Sequence, residues 1–412
     1  MGLSRLEKAL GGELDELFSK GTAKGKEAIF TGVRKPKGRK GPRYLLKGHG
    51  TKEFLRMNSN SYLGMSLEDD VIAAEERASR QFGVGPGAVR FINGTFKAHR
   101  DLEKKLAAFH GREDAMIYSA AYATMIGVFA AMTSKDTTII SDELNHNCII
   151  NAIRLSRPFE KKIYKHNNME QLEQHIRESV GSGARRVLIV TDGIFSMRGD
   201  YAPLDVVSAF AKKYDKEFPE GVVVMVDDSH GVGAFGATGR GTEEYTGAGK
   251  VDILIGTLGK AFGVNGGYVV SSETVTRYLR EKAITYIYSN PITVGEAAAA
   301  LEVLKFLGSK AGRERLKHLR RLTKKFEDGL KSMSYEVIES EHPIVPLMVR
   351  DTQKTTDIVK FLKENGVLAT GLNFPVVPQG DQTIRFQVNG NHTDYDIEVA
   401  LSALDAYRKK RR

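Results

Sequence analysis

Short apolar runs alternate with amphipathic stretches through the middle of the chain. The runs predict strands at 115–118, 137–140, 161–164, 186–191, 222–226 and 251–255. Apolar residues at helical spacing predict helices near 69–82, 99–109 and 119–132, and others after Asn145, Met169 and Leu204. Because a strand buried on both faces is apolar throughout, this alternation predicts a parallel sheet covered by helices on both sides. Ligands of such sheets bind beyond the carboxyl ends of the strands.

The pattern changes on either side of this region. Residues 1–20 place leucines and Phe18 at the spacing of an amphipathic helix, and a basic loop follows. After residue 290 the pattern predicts long helices at 291–307 and 311–333, then short strands at 335–338, 344–349, 367–371 and 383–387 between helices at 351–364 and 393–408. We therefore expect an N-terminal helix and arm (1–57), a large domain (58–290) and a small C-terminal α+β domain (291–412).

The composition is that of a globular protein. Of the 412 residues, 41% are hydrophobic and 27% are charged. The single cysteine, Cys148, excludes a disulfide framework within the chain and a cysteine-based zinc site, and we expect no metal. The sequence shows neither an apolar run of membrane-spanning length nor a secretory signal, so we expect no membrane partner and a cytoplasmic location.

A formal net charge of +10 favours polyanionic partners without identifying them. Basic residues cluster at Arg34–Arg43 and at Arg408–Arg412. Neither cluster is interleaved with aromatic residues, so we expect no nucleic-acid partner and interpret the second cluster as a solvated tail. The first cluster has the charge that a phosphate-bearing small molecule requires. Gly231–Gly236 matches a dinucleotide-binding pattern, but the helix that this pattern requires is missing because more glycine follows.

Polar side chains gather where the predicted strands end. An aspartate or serine after a strand is usually a helix cap, and a lysine in a turn usually lies on the surface. Here, however, four strands deliver acid, imidazole, hydroxyl and amine groups to one edge of the sheet: Asp142, His146, Asp192, Ser196, Asp227, Asp228, His230, Thr257 and Lys260. A lysine desolvated at such a position has a lowered pKa, and its neutral amine can bond to a carbonyl carbon. The sequence therefore predicts an active site at this edge.

Three motifs resemble those of a known enzyme family. They are Val226–Gly233 (VDDSHGVG), Gly239–Gly241 (GRG) and Gly256–Lys260 (GTLGK). Together they resemble the α-oxoamine synthases, pyridoxal phosphate enzymes of fold type I that condense an amino acid with an acyl-CoA. The resemblance extends from about Asn58 to the C-terminus. It implies an α/β fold-type I transferase, with a mostly parallel seven-stranded sheet in the large domain and a smaller C-terminal α+β domain.

The resemblance also implies catalytic roles. Lys260 corresponds to the lysine that binds the cofactor covalently and later removes the α-proton of the substrate. Asp228 is expected to pair with the pyridine nitrogen, and His146 to stack on the ring. Ser196 and His230 are expected at the ring hydroxyl, where His230 also polarises the thioester carbonyl.

Other residues are expected to bind the phosphate group and the substrate. The backbone of Ala121 and Tyr122, together with Thr257, corresponds to the phosphate site of the family. The resemblance implies a homodimer with shared active sites, in which Ser289 and Asn290 reach the phosphate in the partner subunit. It also implies that Arg385, aided by Asn60, binds the substrate carboxylate.

Further segments bear on the choice of substrate. Among the members of the family, those with glycine C-acetyltransferase activity are the most similar in these segments: Val89–Thr95, Thr191–Met197, Phe374–Pro378 and Ile384-Arg385. Such members convert glycine and acetyl-CoA reversibly to 2-amino-3-ketobutyrate and CoA in threonine and glycine metabolism. The alternative is a member that uses alanine with pimeloyl-CoA, or another amino acid with a longer acyl chain. The sequence departs from the family pattern at Met125, Asn147-Cys148 and Arg198, which leaves the acyl chain open.

Overall fold

The computed structural model describes residues 2–20, 22–23, 25 and 27–410. Its strands are β1 (Phe30–Arg34), β2 (Arg43–Leu46), β3 (Leu55–Arg56), β4 (Asp114–Tyr118), β5 (Thr137–Asp142), β6 (Glu160–Tyr164), β7 (Arg186–Asp192), β8 (Val222–Asp227), β9 (Ile253–Thr257), β10 (Gly267–Ser271), β11 (Glu336–Val337), β12 (Ile344–Met348), β13 (Val367–Leu368), β14 (Thr370–Leu372) and β15 (Thr383–Gln387). Its α-helices are α1 (Gly2–Ser19), α2 (Asp69–Phe82), α3 (Lys97–His110), α4 (Ala121–Met132), α5 (Asn147–Ser156), α6 (Met169–Ser179), α7 (Leu204–Tyr214), α8 (Thr242–Thr246), α9 (Glu273–Lys282), α10 (Ile284–Ile287), α11 (Val294–Leu307), α12 (Lys310–Ser332), α13 (Thr352–Glu364) and α14 (Asp394–Lys410).

The large sheet has seven strands in the order β4-β10-β9-β8-β7-β5-β6. Strand β10 runs antiparallel to both of its neighbours, and the other pairs of the sheet are parallel. This confirms the mostly parallel seven-stranded sheet that the resemblance implied. The hydrophobic pattern did not predict β10, because only three apolar residues stand between its glycine and its serine.

Successive residues of the central strands pack on opposite faces of the sheet, as the pleat of a strand requires. In β8, Val226 belongs to the larger apolar cluster, and Met225 belongs to the cluster on the other face. The alternation continues past the end of the strand. Asp227 therefore falls on the face of Met225, and Asp228 on the face of Val226.

A second, antiparallel sheet lies in the C-terminal part, with the order β11-β12-β15-β14, which agrees with the expected smaller α+β region. The predicted strand at 367–371 is divided in two. Its first half, β13, pairs in parallel with β3 of the N-terminal arm instead of joining this sheet. The arm also forms the antiparallel hairpin β1–β2, where the sequence suggested only a loop.

Helix α1 confirms the amphipathic helix expected near the N-terminus, although Met1 lies outside the described residues. Arg411 and Arg412 of the C-terminal basic cluster also lie outside the described residues. The other residues of that cluster, 408–410, form the end of α14. Among the residues that the structure describes, no helix combines the length and the apolar character needed to cross a membrane.

Candidate active site

Lys260 lies in the turn that follows β9. The strand runs two residues further than predicted, through Gly256 and Thr257, before the turn begins. Glycine is required at position 256 because a Cβ there would lie 2.4 Å from the Tyr268 ring of β10. Burial lowers the pKa of Lys260 from 10.5 to about 8, against the opposing effect of the Asp227 carboxylate. The amine is thus desolvated as the sequence predicted.

The carboxylate that accompanies Lys260 belongs to Asp227. The charge of Asp227 acts directly on both Lys260 and His146. Its Oδ2 lies 3.5 Å from the Cys148 thiol, which donates to it. The charges of an amine, a carboxylate and an imidazole therefore act on one another near the carboxyl ends of β8 and β9.

Asp228 faces the other way, which corrects the expectation that it accompanies Lys260. Its Oδ2 accepts a hydrogen bond of 2.7 Å from the backbone N–H of Thr242, and its Oδ1 accepts one of 2.6 Å from the Thr242 hydroxyl. Burial raises its pKa to about 7. Three glycines enclose this carboxylate, since a Cβ on any of them would come within 2.2 Å of its oxygens: Gly193, Gly231 and Gly241.

His146 is held in one orientation at the start of α5. Its backbone N–H donates to Asp192 Oδ2 at 3.0 Å, and its Nδ1 accepts the N–H of Cys148 at 3.2 Å. Burial lowers the pKa of His146, and the charge of Lys260 adds to the effect. The ring is thus favoured in its neutral form, with the proton on Nε2.

Asp192 is a second acid near Lys260. Burial, reinforced by the charge of Asp227, raises its pKa well above the ordinary value. Asn145 joins its strand to β5: the backbone N–H of Asp192 donates to Asn145 Oδ1 at 2.8 Å, and Asn145 Nδ2 donates to the Ser141 hydroxyl at 2.9 Å. This bridge fixes the two strand ends that carry Asp192 and His146.

His230 enters the site from the loop after β8. Its Nδ1 lies 2.7 Å from the Tyr62 hydroxyl. The Tyr62 hydroxyl donates to Asn60 Oδ1 at 3.2 Å, and the same oxygen accepts a hydrogen bond of 2.6 Å from Arg385 Nη2. Burial lowers the pKa of His230 well below its ordinary value, with Lys260 next in effect. The ring is thus favoured in its neutral form.

Arg385 and Asn60 form the expected pair. Arg385 lies on β15 and is 8% exposed, and Asn60 belongs to the loop that follows β3. The guanidinium charge acts on Lys260 and on His230, which places it at the same site. An arginine held in this way has the planar donor geometry that binds a carboxylate.

The first turn of α4 offers backbone N–H groups to an anion. The helix begins at Ala121 without a side-chain cap, and the first N–H groups of a helix have no partner within it. Gly267 of β10 packs closely against this turn, because a Cβ there would lie 2.3 Å from the Ala121 nitrogen. Thr257 stands at the end of the adjacent strand β9, where its hydroxyl donates to the Gly266 carbonyl at 3.1 Å.

Replacing Gly267 with alanine is expected to destabilise the protein and weaken cofactor binding. The new methyl group must displace the backbone at Ala121, and overpacking of this kind costs about 1–3 kcal/mol. Denaturant unfolding and titration of the apoprotein with pyridoxal phosphate measure both effects. Gly85→Ala is the matched control, because a Cβ at Gly85 meets nothing within 4 Å. Equal behaviour of the two variants would contradict the close approach.

Ser196 and His146 line one cavity of about 460 Å³ beside the strand ends. Apolar side chains make up much of its remaining wall: Leu144, Ile150, Phe195, Ile338, Met348, Pro375, Val376 and Val377. Met125 does not reach this cavity, because it lies fully buried in the core on the face of Met225. Arg198 is at the wall and pairs with Asp200 at 2.8 Å.

Ser289 and Asn290 follow the short helix α10. Asn290 is exposed, Ser289 is half-buried, and the neighbouring Tyr288 is 77% exposed. Within the described part of the single chain, no hydrogen bond joins either residue to the group around Lys260.

The residues present fit pyridoxal phosphate. The cofactor requires a lysine for its aldehyde, a carboxylate at its ring nitrogen, a side chain against its ring and donors for its phosphate. The charge of the Asp227 carboxylate acts on the amine of Lys260 and on the imidazole of His146. The uncapped start of α4 supplies the phosphate donors. These contacts favour Asp227 for the ring nitrogen over Asp228, which the resemblance implied.

Sequence reasoning also missed two supporting groups. Tyr62 contacts both His230 and Asn60, and Cys148 contacts both His146 and Asp227. The pleat of β8 places Asp227 and Asp228 on opposite faces, but the residue types do not say which face carries Lys260. The sequence carries no comparable signal for Tyr62, because 168 residues separate it from its partner.

Comparison with known proteins agrees with this geometry. The family model for class I and II aminotransferases matches residues 52–404. An 8-amino-7-oxononanoate synthase from Thermosipho melanesiensis is 38% identical, covering 97% of this chain and 97% of the relative. The 2-amino-3-ketobutyrate coenzyme A ligase of Escherichia coli K12 is also 38% identical, covering 85% of this chain and 87% of the relative.

Solved structures give the same result. A serine palmitoyltransferase from Sphingomonas wittichii matches with a TM-score of 0.87 and 27% identity, covering 98% of this chain and 97% of that one. Other structures of serine palmitoyltransferase that match this chain were solved with pyridoxal phosphate bound. The chain therefore belongs to the α-oxoamine synthase family of pyridoxal phosphate-dependent enzymes, within the class I and II aminotransferases.

Proposed function

We propose that the protein condenses an amino acid with an acyl-CoA, and that glycine and acetyl-CoA are its preferred pair, giving 2-amino-3-ketobutyrate and CoA. The observation that carries the condensation is the desolvated amine of Lys260 beside Asp227, within reach of the charge of Arg385. The resemblance of Val89–Thr95 to glycine C-acetyltransferases supports the choice of glycine and acetyl-CoA. The 38% identity to the Escherichia coli ligase supports it as well.

Lys260 has two tasks in this proposal. Bound pyridoxal phosphate supplies an electron-withdrawing ring that stabilises negative charge at the α-carbon of the amino acid. Lys260 would hold the aldehyde and then, as a free amine, take the α-proton. With a pKa of about 8, roughly a tenth of the amine is neutral at pH 7, which suits a general base. Asp227 would keep the ring nitrogen protonated, because a carboxylate favours a cation beside it. His146 would pack against the ring.

The remaining residues orient the reactants. Arg385 and Asn60 would bind the amino-acid carboxylate through paired donors. His230 would donate first to the ring hydroxyl and later to the thioester oxygen as that oxygen gains charge, and Ser196 would donate to the ring hydroxyl. The phosphate would be held by the backbone of Ala121 and Tyr122 and by the Thr257 hydroxyl, which would turn from the Gly266 carbonyl to the phosphate.

We also propose a homodimer with shared active sites. Ser289 and Asn290 follow a short helix, and the tyrosine before them is largely exposed to solvent in the single chain. This position supports a role toward the phosphate of the partner subunit, as the family resemblance implies.

A second candidate is condensation of alanine with a longer acyl-CoA, as in 8-amino-7-oxononanoate synthases. The cavity of about 460 Å³ beside Ser196, with its apolar wall, supports this alternative, since an acetyl group would fill little of it. The identity of 38% to the Thermosipho melanesiensis enzyme is the same as that to the ligase.

Steady-state kinetics with a panel of substrates tests the proposal. Glycine, alanine and serine are each combined with acetyl-, hexanoyl-, pimeloyl- and palmitoyl-CoA, and release of CoA is measured. We expect the highest kcat/KM for glycine with acetyl-CoA. A higher kcat/KM for alanine with pimeloyl-CoA would establish the second candidate instead, and absence of condensation with every pair would overturn both.

A further inference from the structure

A strongly basic cavity lies on the N-terminal arm, apart from the residues around Lys260. The cavity has a volume of about 450 Å³ and is lined by the β1–β2 hairpin and by Glu53. Glu53 is the acidic residue of its wall. The basic side chains of the wall are Arg34, Lys35, Lys37, Arg39, Lys40 and Arg43. We refer to this site as the hairpin cavity.

The acids near the hairpin cavity do not balance its positive charge. Glu53 serves two cations, with its Oε1 3.3 Å from Arg34 Nε and its Oε2 3.6 Å from Lys40 Nζ. Asp69 pairs with Lys35, and Asp396 pairs with Arg43, each at 2.6 Å. Six cations thus face three carboxylates.

Two of the six cations are without an acidic partner among the described residues, Lys37 and Arg39. The Arg39 guanidinium instead lies 4.0 Å from the centre of the Tyr395 ring. The side chains of Lys37 and Arg39 are both exposed to solvent. They leave a positive charge at the cavity that an anionic ligand would neutralise.

The backbone of the hairpin is fixed in place. Lys37 and Lys40 exchange backbone hydrogen bonds of 3.1 Å across the turn. The backbone N–H of Gly41 donates to Asp396 Oδ2 at 3.0 Å, and the Thr393 hydroxyl donates to the Arg39 carbonyl at 2.7 Å. These bonds attach the turn to the start of α14. A ligand would therefore meet cations whose backbone is already ordered, which reduces the entropy cost of binding.

The chemistry of the hairpin cavity favours a compact polyanion over a nucleic acid. Single-stranded nucleic acids need exposed aromatic faces on which bases stack. The nearby rings of Phe30 and Tyr44 pack edge to face, and the Arg56 guanidinium lies 4.7 and 5.2 Å from their centres, while Phe30 stays 39% exposed. Tyr395 is covered by Arg39. Cations around a concave space suit phosphate groups.

We propose that the hairpin cavity binds a small molecule that carries two or more phosphate groups. Two sources share this chemistry: the phosphate-bearing end of an acyl-CoA substrate, and a free nucleotide. The first source rests on the proposed function. It is favoured by the path of the chain, because Tyr44 of β2 pairs with Phe54, six residues before the Asn60 that adjoins Arg385.

Calorimetric titration of the holoenzyme with CoA, ADP and pyrophosphate tests the proposal. The test variant is Lys37→Ala/Arg39→Ala, which breaks no ion pair among the described residues. The matched control is Lys212→Ala/Lys216→Ala, which removes the same charge from exposed positions of the large domain. We expect the test variant to bind at least one of the three ligands about fivefold or more weakly than the control. Both variants should melt at the temperature of the unmodified enzyme.

The pattern of losses identifies the source. Weaker binding of CoA together with a raised KM for acyl-CoA indicates the substrate, and binding of ADP, which shares the diphosphate of CoA, is then expected to weaken too. Weaker binding of ADP and pyrophosphate with an unchanged KM indicates a free nucleotide. Equal affinities of test variant and control for all three ligands would overturn the proposal. Because binding is measured without turnover, this result stays distinct from a failure of the condensing activity.

Discussion

Lys260→Ala is expected to lower turnover by at least about a thousandfold and to abolish covalent attachment of the cofactor. The substitution removes both the amine that would hold the aldehyde and the base that would take the α-proton, and a general base alone contributes about 10²–10⁴-fold. Its environment supports both tasks, because burial lowers the pKa of Lys260 to about 8 and so makes the neutral amine accessible.

Borohydride reduction followed by peptide mass spectrometry measures the attachment directly. In the unmodified protein, the peptide that contains residue 260 should gain the mass of the reduced cofactor. In the variant, no peptide should gain it. Lys282→Ala is the control, since Lys282 is exposed at the end of α9, and it should retain both the adduct and the activity. Cofactor attached to another lysine in the unmodified protein would refute the assignment.

The fold was largely predictable because the central strands are short, branched and buried on both faces. Strands β7 and β8, for example, extend only one residue beyond the predicted ranges. Strand β10 was not predictable in the same way. Its position depends on Gly267, which packs against the backbone at Ala121, a contact between segments 146 residues apart.

The sequence predicted which strand ends carry the polar side chains of the site, but not which face of the sheet each side chain lies on. Asp227 and Asp228 follow a run in which both faces are apolar, so the residue types alone do not tell one face from the other. The contacts of Cys148 with Asp227 and of Thr242 with Asp228 make that distinction. The wall of the cavity beside Ser196 was not predictable either, because Val376, which also lines it, comes from a distant part of the chain.

The two adjacent aspartates provide a matched pair of variants with opposite expected results. Asp227→Asn should lower kcat by at least about a hundredfold, because it removes the charge that faces Lys260 and would face the ring nitrogen. It should also lower the pKa of Lys260 below about 8, since the Asp227 carboxylate raises that pKa. The pH dependence of inactivation by an amine-directed reagent, applied to the apoprotein, measures this shift.

Asp228→Asn should instead act on stability. Asparagine offers one oxygen where Thr242 presents two donors, so about 1–3 kcal/mol of unfolding free energy should be lost. The sign of the pH dependence follows from the raised pKa. Protonated Asp228 stabilises the fold fully below its ordinary pKa of 3.8, and this stability is lost as pH rises toward about 7. Asparagine carries no titratable proton, so the variant does not lose stability in this way as the pH rises. The difference in unfolding free energy between the unmodified protein and the variant should therefore shrink between about pH 4 and pH 7.

Denaturant unfolding across this pH range, together with kcat for both variants, separates the two roles. Asp228→Asn should keep most of its activity, because its carboxylate is enclosed by Gly193, Gly231 and Gly241 and has no access to Lys260. The opposite result, an inactive but stable Asp228→Asn beside an active Asp227→Asn, would restore Asp228 as the partner of the ring nitrogen. It would also require the end of β8 to turn over, which the Thr242 hydrogen bonds to Asp228 oppose.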